Sequence, residues 1–374
     1  MPLKKIADFK IERLEVLDQE GRADEALVPA VPKEKLIETY RIMVLCRVFD
    51  EKAFKLQRQG RLGTYPQILG QEATQVVPAM CLEKKDWILP TYRGQGSYFA
   101  RGMPLVNSLL YWGGDDRGVK FPEGQNDLLF AIPVGSHLTQ AAGFALAAKL
   151  RKDPSVTLCY LGDGSSSKGD FHEALNFCGV YKLAAVYLVE NNQWAISVPR
   201  QFQTASQTIA QKAIGYNVAG IQVDGNDVLA LFKAVGDAVA RGRRGEGTTV
   251  IEAETYRLGD HTTADDASRY RSKEDVEAWK QKDPLKRFKL YLLAKKFLDE
   301  DADIRFHKEA EREVEKAIEE YESYPEPNPL DIFNNTYAQN PWHVEEQKRE
   351  LEAILKTKKE RQGPIVTQSE GRFP

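Results

Sequence analysis

The stretch from residue 156 to residue 199 constrains the fold of this 374-residue chain more than any other part of it. It opens with an apolar run over residues 156–161, which is typical of a buried strand, and the run ends at the turn Gly162-Asp163-Gly164. Apolar residues then recur at helical spacing over residues 171–178, and a second apolar run covers residues 184–189. Strand, helix and strand form a parallel crossover unit, so the sequence predicts an α/β fold.

Asp163 and Asn192 follow the two predicted strands directly. Because ligands bind at the carboxyl ends of parallel strands, we expect both side chains to face one site. With a nearby backbone carbonyl, for which we expect that of Trp194, they would form half of an octahedral oxygen shell for Mg²⁺, which commonly takes its other ligands from phosphate and water. Gly162 and Gly164 would let the backbone approach a phosphate closely, and the next helix would offer its N-terminal N–H groups. The pattern therefore predicts a site for a diphosphate and Mg²⁺.

Two other phosphate-binding motifs do not fit this stretch. A P-loop has Gly-Lys followed by Ser or Thr, whereas Lys168 precedes Gly169 and Asp170. A dinucleotide fingerprint needs three closely spaced glycines and an acid at the end of the next strand, whereas that strand ends in Asn191-Asn192. The Gly-Asp-Gly turn or the Asn pair alone would usually be an ordinary loop, but their combination in one crossover unit favours a ligand site.

Periodicity over the rest of the chain is consistent with an α/β protein. Apolar residues at helical spacing form a stripe over residues 33–59, before a break at residues 60–65. Further predicted helices cover residues 71–82, 139–150, 208–213, 229–240, 285–298, 304–321 and 344–356, and further predicted strands cover residues 220–223 and 249–255. The helices after residue 274 are rich in charge and are predicted to be solvated.

Residues 162–192 resemble the thiamine diphosphate motif. The flanking runs at residues 168–171 and 194–197 are similar to the alpha subunit of the 2-oxo acid dehydrogenases that are the first component of the pyruvate and branched-chain dehydrogenase complexes. The resemblance extends from about residue 32 to about residue 330 and implies the thiamine-diphosphate-binding fold, a mainly parallel sheet with helices on both faces and helical terminal extensions. The predicted parts are an N-terminal arm (residues 1–33), a domain that binds the diphosphate half of the cofactor (34–330) and a charged helical C-terminal extension (331–374). The arm is expected either to lie on another surface or to be a loosely ordered terminus.

The resemblance also assigns roles to residues outside the motif. It implies that Tyr92 and Arg93 contact the diphosphate, that Val134 supports the bent cofactor, and that His261 faces the cofactor as the catalytic general acid/base. A structural role is the favoured interpretation of His137. The predicted cofactor-binding residues are Tyr92, Arg93, Val134, Gly162, Asp163, Gly164, Ser165, Asn192 and His261, and the predicted metal ligands are Asp163, Asn192 and Trp194. The chain departs from the family at Thr64, where a phenylalanine is expected, and at Asp260, where some members have a second histidine.

Composition excludes several functional classes. The formal net charge of −3, with acids and bases well mixed, argues against a nucleic-acid partner. The four cysteines lack metal or disulfide spacing and are predicted to be reduced thiols. Residues 1–11 have no apolar signal core, and no apolar run is long enough to span a bilayer. We therefore expect a soluble cytoplasmic protein that binds no membrane.

The resemblance implies oxidative decarboxylation of a 2-oxo acid, with thiamine diphosphate and Mg²⁺ as cofactors. The acyl group would pass to the lipoyl domain of a dihydrolipoyl acyltransferase. This chain resembles only the part of the family that binds the diphosphate half of the cofactor. In the family, the glutamate that activates the pyrimidine ring belongs to a second subunit. The chain is therefore predicted to need a beta subunit, in an α₂β₂ heterotetramer with the cofactor at the interface.

Pyruvate is the favoured substrate, but the sequence leaves alternatives open. Residues 58–63 and 121–124 favour pyruvate, whereas residues 224–227 and 325–330 favour branched-chain 2-oxo acids. An acetoin-type dehydrogenase subunit and a catalytically silent scaffold subunit are further alternatives. The presence of the predicted site residues argues against a silent scaffold, because such a subunit would be free to lose them.

Overall fold

The two apolar runs around the Gly-Asp-Gly turn form adjacent strands at the centre of one parallel sheet. The computed structural model describes residues 3–130 and 132–362. The strands are β1 (Arg13–Leu14), β2 (Trp87–Leu89), β3 (Thr157–Gly162), β4 (Ala185–Asn191), β5 (Trp194–Ala195), β6 (Val198–Pro199), β7 (Ala219–Asp224) and β8 (Thr249–Glu254). Within the described residues, six of them form a sheet in the order β1-β7-β8-β4-β3-β2, in which every neighbouring pair is parallel, and β5 pairs with β6 in a small antiparallel hairpin. The predicted α/β class with a parallel sheet is confirmed.

Helices connect and flank these strands. The α-helices are α1 (Lys33–Arg58), α2 (Glu72–Met80), α3 (Gln95–Ala100), α4 (Leu105–Trp112), α5 (Leu138–Leu150), α6 (Gly169–Tyr181), α7 (Arg200–Gln203), α8 (Val228–Arg243), α9 (Lys273–Lys280), α10 (Pro284–Ala294), α11 (Glu300–Ser323) and α12 (Trp342–Gln362). Short 3₁₀ helices cover Asp116–Val119, Asp163–Ser167, Ala210–Tyr216, Ala267–Arg269 and Pro329–Phe333. Each predicted helix corresponds to one of these elements, except that the segment predicted over residues 208–213 is a 3₁₀ helix.

Helices cover both faces of the sheet, so its central strands are apolar on both sides. On one face, small and apolar residues of α5 and α6 pack against alternate residues of β3 and β4 in a single cluster, which includes Leu138, Phe171, Cys159 and Tyr187. On the other face, α8 contacts β4, β7 and β8, and α2 contacts β3 through the Tyr160 hydroxyl, which donates to the Gln75 carbonyl. The sheet is therefore held rigidly, and the loops at its edges can carry function.

The N-terminal segment adds the edge strand β1, which pairs with β7 and which periodicity did not predict. Asp227, fully buried, fixes this segment: one carboxylate oxygen accepts hydrogen bonds from the backbone N–H groups of Val16 and Leu17, both at 2.6 Å. Its other oxygen caps α8 by accepting from the N–H groups of Leu229 and Ala230, both at 3.0 Å. Part of the predicted arm is thus built into the sheet.

The contacts divide the chain into two compact units, Met1–Ile318 and Glu319–Pro374. The second unit contains the end of α11, the 3₁₀ helix Pro329–Phe333 and α12. The domain boundaries at residues 33/34 and 330/331 stay predictions, and residues 363–374 of the predicted extension lie outside the described residues. Across residues 3–130 and 132–362, none of the helices combines the length and apolar character that a membrane crossing requires.

Asp227→Ala is expected to lower the free energy of unfolding by about 2–4 kcal/mol, because it removes a helix cap and leaves two buried N–H groups without acceptors. Urea denaturation followed by circular dichroism measures this. Asp237→Ala is the control, since this exposed acid of α8 caps nothing, and we expect a change within about 0.5 kcal/mol. Equal effects of the two substitutions would contradict the anchoring role of Asp227.

Candidate active site

A cavity of about 240 Å³ opens at the carboxyl edge of the sheet. Four neighbouring strands deliver residues to it, because the parallel register brings their ends to the same edge. Thr91 to Arg93 follow β2, Gly162 to Ser165 come from the end of β3, Glu190 and Asn192 come from the end of β4, and Arg257 and His261 follow β8.

The cavity brings together every site residue that we predicted from the sequence. Its lining residues are Gln71, Thr91, Tyr92, Arg93, Val134, Gly135, His137, Gly162, Asp163, Gly164, Ser165, Glu190, Asn192, Trp194, Ala195, Ile196, Arg257 and His261. The ten predicted residues thus share one site.

Asp163 and Asn192 present oxygen atoms that suit a hard cation. Asp163 is buried and its Oδ2 atom has no hydrogen-bond partner. Asn192 donates from Nδ2 to Gln71 Oε1 at 2.9 Å, which leaves its Oδ1 atom as an acceptor near the backbone N–H of Trp194, at 3.3 Å. A buried carboxylate oxygen without a donor is costly unless a cation binds it. The donor set therefore fits Mg²⁺, which prefers oxygen ligands.

The cavity does not enclose a cation with side chains alone. In the part of the chain that the structure describes, no group of three or more histidine, cysteine, aspartate or glutamate side chains is arranged to hold a metal. A cation next to Asp163 would therefore need further ligands from a bound molecule, as Mg²⁺ commonly takes from phosphates. Burial raises the pKa of Asp163 to about 6, against the lowering effect of the Gly164 N–H group and of Arg257.

The backbone after β3 turns tightly at the cavity. A Cβ atom on Gly164 would lie 2.9 Å from the Cβ atom of Ala195, so only glycine permits this approach, whereas a Cβ atom on Gly162 would meet open space. The next residues form the 3₁₀ helix Asp163–Ser167, and α6 begins at Gly169, slightly later than a direct strand-to-helix turn would place it. Ser165 lines the cavity from this turn.

Two buried guanidinium groups, those of Arg93 and Arg257, also line the cavity. Arg93 donates to the carbonyls of Gln67 (2.6 Å) and His261 (2.8 Å). Arg257 donates to the Ile196 carbonyl at 2.7 Å and to the Tyr270 hydroxyl at 2.9 Å, and burial followed by the charge of Arg93 lowers its pKa to about 10. Within the described residues, the hydrogen-bond acceptors of both side chains include no carboxylate. Two adjacent cations without an ion-pair partner are suited to a multiply charged anion.

His261 lies between these two cations. Its Nδ1 atom is 3.2 Å from Arg93 Nη2 and 3.3 Å from Arg257 Nη1. Because guanidinium groups only donate, Nδ1 accepts, and the proton of the neutral ring is on Nε2. Burial, then Arg93 and Arg257, lower the pKa of His261 to about 4. The unfolded chain, with a pKa of about 6.5, binds more protons below that pH, so this histidine destabilises the fold as the pH falls from about 6.5 to about 4.

The loop that carries His261 is held by the residues that follow it. Arg271 donates to the carbonyls of Arg257, Leu258 and Gly259, two of them at 3.0 and 3.2 Å. Asp265 accepts from the His261 N–H at 2.9 Å and from the Tyr270 hydroxyl. These bonds keep the imidazole at the cavity wall.

Other predicted residues contribute to the rim and the floor. Val134 lines the cavity, with 45% of its surface exposed, and Tyr92 makes an edge contact with the His261 ring at 6.1 Å between centroids. His137 is buried, and its Nε2 atom donates to the Tyr160 carbonyl at 2.6 Å; the structural role favoured from the sequence stays a prediction. It nevertheless lines the cavity, and its Nδ1 atom has no hydrogen-bond partner. Thr64 is exposed and is not among the lining residues.

Sequence reasoning gave no role to several lining residues, among them Gln71, Glu190 and Arg257. Gln71 precedes α2, where nothing in the local pattern distinguishes it. Glu190 is buried beside Thr74, whose hydroxyl donates to it at 2.9 Å, and burial raises its pKa to about 7. Arg257 could have been found by the argument used for Arg93, because both follow a strand of the parallel sheet within four residues of its end.

Comparison with known proteins places the chain among 2-oxo acid dehydrogenase subunits. The profile of the family described as "Dehydrogenase E1 component" matches residues 40–330. The chain is 42% identical to the "Pyruvate dehydrogenase E1 component subunit alpha" of Staphylococcus epidermidis over 340 residues, which cover 90% of this chain and 92% of that protein. It is also 42% identical to the protein of the same name from Acholeplasma laidlawii over 341 residues, which cover 90% of this chain and 99% of that protein.

Arg93→Gln is expected to raise the pKa of His261 toward its ordinary value, because it removes one of the two cations that disfavour the imidazolium. Protonation of His261 can be followed by NMR, through the chemical shift of its Cε1 proton, from about pH 5 to about pH 7.5. We expect no titration in this range for the unaltered, ligand-free chain and partial protonation in the variant. Arg244→Gln, which removes an exposed cation of another region, is the control. Titration of His261 near pH 6.5 in the unaltered chain would contradict the assigned electrostatics.

Proposed function

This chain belongs to the dehydrogenase E1 component family, and we propose that it is the alpha subunit of a pyruvate dehydrogenase that uses thiamine diphosphate and Mg²⁺. The reaction is the oxidative decarboxylation of pyruvate, with transfer of the acetyl group to the lipoyl domain of a dihydrolipoyl acyltransferase. Pyruvate is proposed because the named relatives are pyruvate dehydrogenase subunits and are matched over nearly their whole length.

The charge arrangement of the cavity is the observation that carries this proposal. Arg93 and Arg257 have no carboxylate partner among the described residues, and the same cavity holds Asp163, whose Oδ2 atom is unsatisfied. A diphosphate together with a divalent cation would satisfy all of these groups, because phosphate oxygens accept from guanidinium groups and can also bind the cation that Asp163 would hold. We assign Asp163, Asn192 and the Trp194 carbonyl to Mg²⁺, and Tyr92, Arg93, Gly162, Gly164 and Ser165 to the diphosphate.

The protein residues have separate tasks in this proposal. Thiamine diphosphate, when bound, supplies the nucleophilic carbon and the electron sink that removal of carbon dioxide from a 2-oxo acid requires. Val134 supports the ring system from the cavity rim, and His261 holds a proton at Nε2 for the reacting oxygen. An anion against Arg93 and Arg257 offsets their charge, so the pKa of His261 rises toward the range in which imidazole serves as a general acid/base near neutral pH.

Exposed apolar side chains around the cavity mouth support an α₂β₂ assembly with a beta subunit. Val134 and Ile196 line the cavity yet are 45% and 58% exposed, and nearby Ile132 and Phe202 are 50% and 78% exposed. A cluster of exposed apolar residues next to a site is typical of an interface. Glu190, the glutamate among the described lining residues, accepts a hydrogen bond from Thr74 of α2, so we propose that the acid acting on the pyrimidine ring comes from the beta subunit.

The cysteines are consistent with the proposed cytoplasmic location. Cys46, Cys81, Cys159 and Cys178 are all free thiols. Burial raises the pKa of each, so they stay protonated and unreactive. Free, unreactive thiols are usual in proteins of a reducing compartment.

The full chain, co-expressed with its beta subunit, is expected to decarboxylate pyruvate in the presence of an artificial electron acceptor. The rate should depend on both thiamine diphosphate and Mg²⁺, and the chain without the beta subunit should be inactive because its site is incomplete. The same assay with 3-methyl-2-oxobutanoate measures the substrate preference. A higher kcat/KM for the branched-chain acid, or no rate with either acid, would overturn the proposed activity.

Asp163→Ala is expected to weaken thiamine diphosphate binding by about 10–100-fold and to abolish its dependence on Mg²⁺, because the cation loses its carboxylate ligand. Quenching of tryptophan fluorescence, to which Trp194 in the cavity contributes, measures the dissociation constant at a series of Mg²⁺ concentrations. Asp170→Ala is the matched control, since this acid in the first turn of the following helix α6 pairs with Lys168 and does not line the cavity. Binding by Asp163→Ala that still responds to Mg²⁺ would contradict the assigned ligand.

A further inference from the structure

Asp50 on α1 is a fully buried carboxylate that does not line the cavity. Its two oxygens accept three hydrogen bonds from one short segment, residues 65–71. Oδ1 accepts from the Tyr65 hydroxyl at 3.0 Å and from the Ile68 N–H at 2.8 Å, and Oδ2 accepts from the Leu69 N–H at 3.1 Å. One side chain of the preceding helix thus fixes the path of this segment.

Segment 65–71 in turn contacts two side chains of the cavity wall. The carbonyl of Gln67 accepts from Arg93 Nη1 at 2.6 Å, which orients the guanidinium group. The side chain of Gln71 lines the cavity and accepts from Asn192 Nδ2 at 2.9 Å, which leaves the amide oxygen of Asn192 as the acceptor. The segment therefore orients both Arg93, which is proposed to bind the diphosphate, and Asn192, which is proposed to bind Mg²⁺.

The same segment holds both ends of loop 258–263, which carries His261. The Leu69 carbonyl accepts from the Leu258 N–H at 3.2 Å. At the other end, Tyr65 and Thr263 exchange two hydrogen bonds: the Thr263 N–H donates to the Tyr65 carbonyl at 3.0 Å, and the Tyr65 N–H donates to Thr263 Oγ1 at 3.1 Å. A shift of segment 65–71 would therefore displace His261 as well as Arg93.

We propose that Asp50 is a positioning residue of the active site, which acts through segment 65–71 on Arg93, Asn192 and His261. It touches no ligand itself, and its effect on binding rests on the proposed diphosphate site. Outer residues of this kind typically change ligand affinity by about 10–100-fold when they are altered.

Burying the carboxylate of Asp50 costs free energy, so packing alone does not account for an aspartate at this position. Burial raises its pKa to about 7, and the negative charge of Glu72 also raises it, whereas the Ile68 N–H, the Tyr65 hydroxyl and Arg47 lower it. A buried carboxylate costs free energy, and an apolar side chain of the same size would pack α1 at lower cost. What the carboxylate adds is three acceptor contacts to one segment, which an apolar residue cannot make.

Asp50→Asn is the sharpest test, because it preserves the shape of the side chain. An amide has one acceptor oxygen, so its NH₂ group must face either the Leu69 N–H or the Ile68 N–H, and one contact becomes repulsive. In the complex of the full chain with its beta subunit and without ligand, hydrogen–deuterium exchange should become faster in segments 65–71 and 258–263. The dissociation constant of thiamine diphosphate should rise by about 10–100-fold, whereas KM for pyruvate should change by less than about twofold.

Asp303→Asn is the matched control. Asp303 also accepts a hydrogen bond from a buried tyrosine, the Tyr40 hydroxyl of α1 at 2.7 Å, but this contact is unconnected to segment 65–71. We expect unchanged cofactor affinity and unchanged exchange in the two segments. Tyr65→Phe is the second variant if Asp50→Asn does not fold: it removes one bond to Asp50, leaves the Ile68 and Leu69 contacts in place, and should weaken cofactor binding in the same direction by a smaller factor.

The outcomes separate this assignment from the proposed function. If the unaltered complex does not bind thiamine diphosphate, the proposed function fails, and the exchange of segments 65–71 and 258–263 still tests the positioning role. If the unaltered complex binds the cofactor, and Asp50→Asn or the second variant binds equally well with unchanged exchange, the positioning role is overturned. A loss of affinity of equal size in Asp303→Asn would also overturn it, because the effect would then be one of general stability.

Discussion

The parallel pairing of four neighbouring strands is the constraint on which the site depends. Gly162 at the end of β3 lies opposite Glu190 of β4, and Glu190 lies opposite Ala253 of β8, so the residues that follow all three strands emerge at the same edge. Strand β2 ends three residues before the end of β3, since its last residue, Leu89, pairs with Cys159. The residues from Pro90 onward span this distance, so that Arg93 reaches the cavity. A shift of register in any pair would separate the carboxylate of Asp163 from the guanidinium groups.

The site is built from charged groups that are incompletely compensated within the chain. Two guanidinium groups lie side by side, and the charge of Arg93 contributes to the lowered pKa of both Arg257 and His261. The carboxylate of Asp163 is buried with one oxygen unsatisfied. Such an arrangement costs stability in the free protein, and the groups are held in place by carbonyls of the surrounding loops. That cost is reasonable where a ligand brings the missing charges, because the ligand then meets groups that need no reorganisation.

Local patterns in the sequence predicted the parts of the site that follow from one strand and its turn. From the Gly-Asp-Gly turn and the Asn pair we predicted that Asp163 and Asn192 lie at the same carboxyl edge of the sheet. This placement is correct because residues that directly follow neighbouring parallel strands emerge at the same edge. Strand β1 was not predicted, since two residues are too few for a period to show. Asp50 was not predicted either: α1 is buried on most of its surface, so a polar residue within it does not stand out as facing a partner. Its contacts with segment 65–71 arise from the tertiary fold, which no local pattern encodes.

The distribution of exposed surface around the cavity is consistent with the proposed assembly, in which a second subunit would complete the site. One part of the cavity lining is polar and buried, as at Arg93, Asp163 and Asn192. Another part, at Val134 and Ile196, is apolar and exposed and forms the rim. A ligand held by its charged end in the polar half would extend its remaining, less polar part across this rim, where solvent would reach it. Closing that side with the apolar surface of a second subunit removes water from the reacting groups, and this strengthens the electrostatic contacts that the polar half provides.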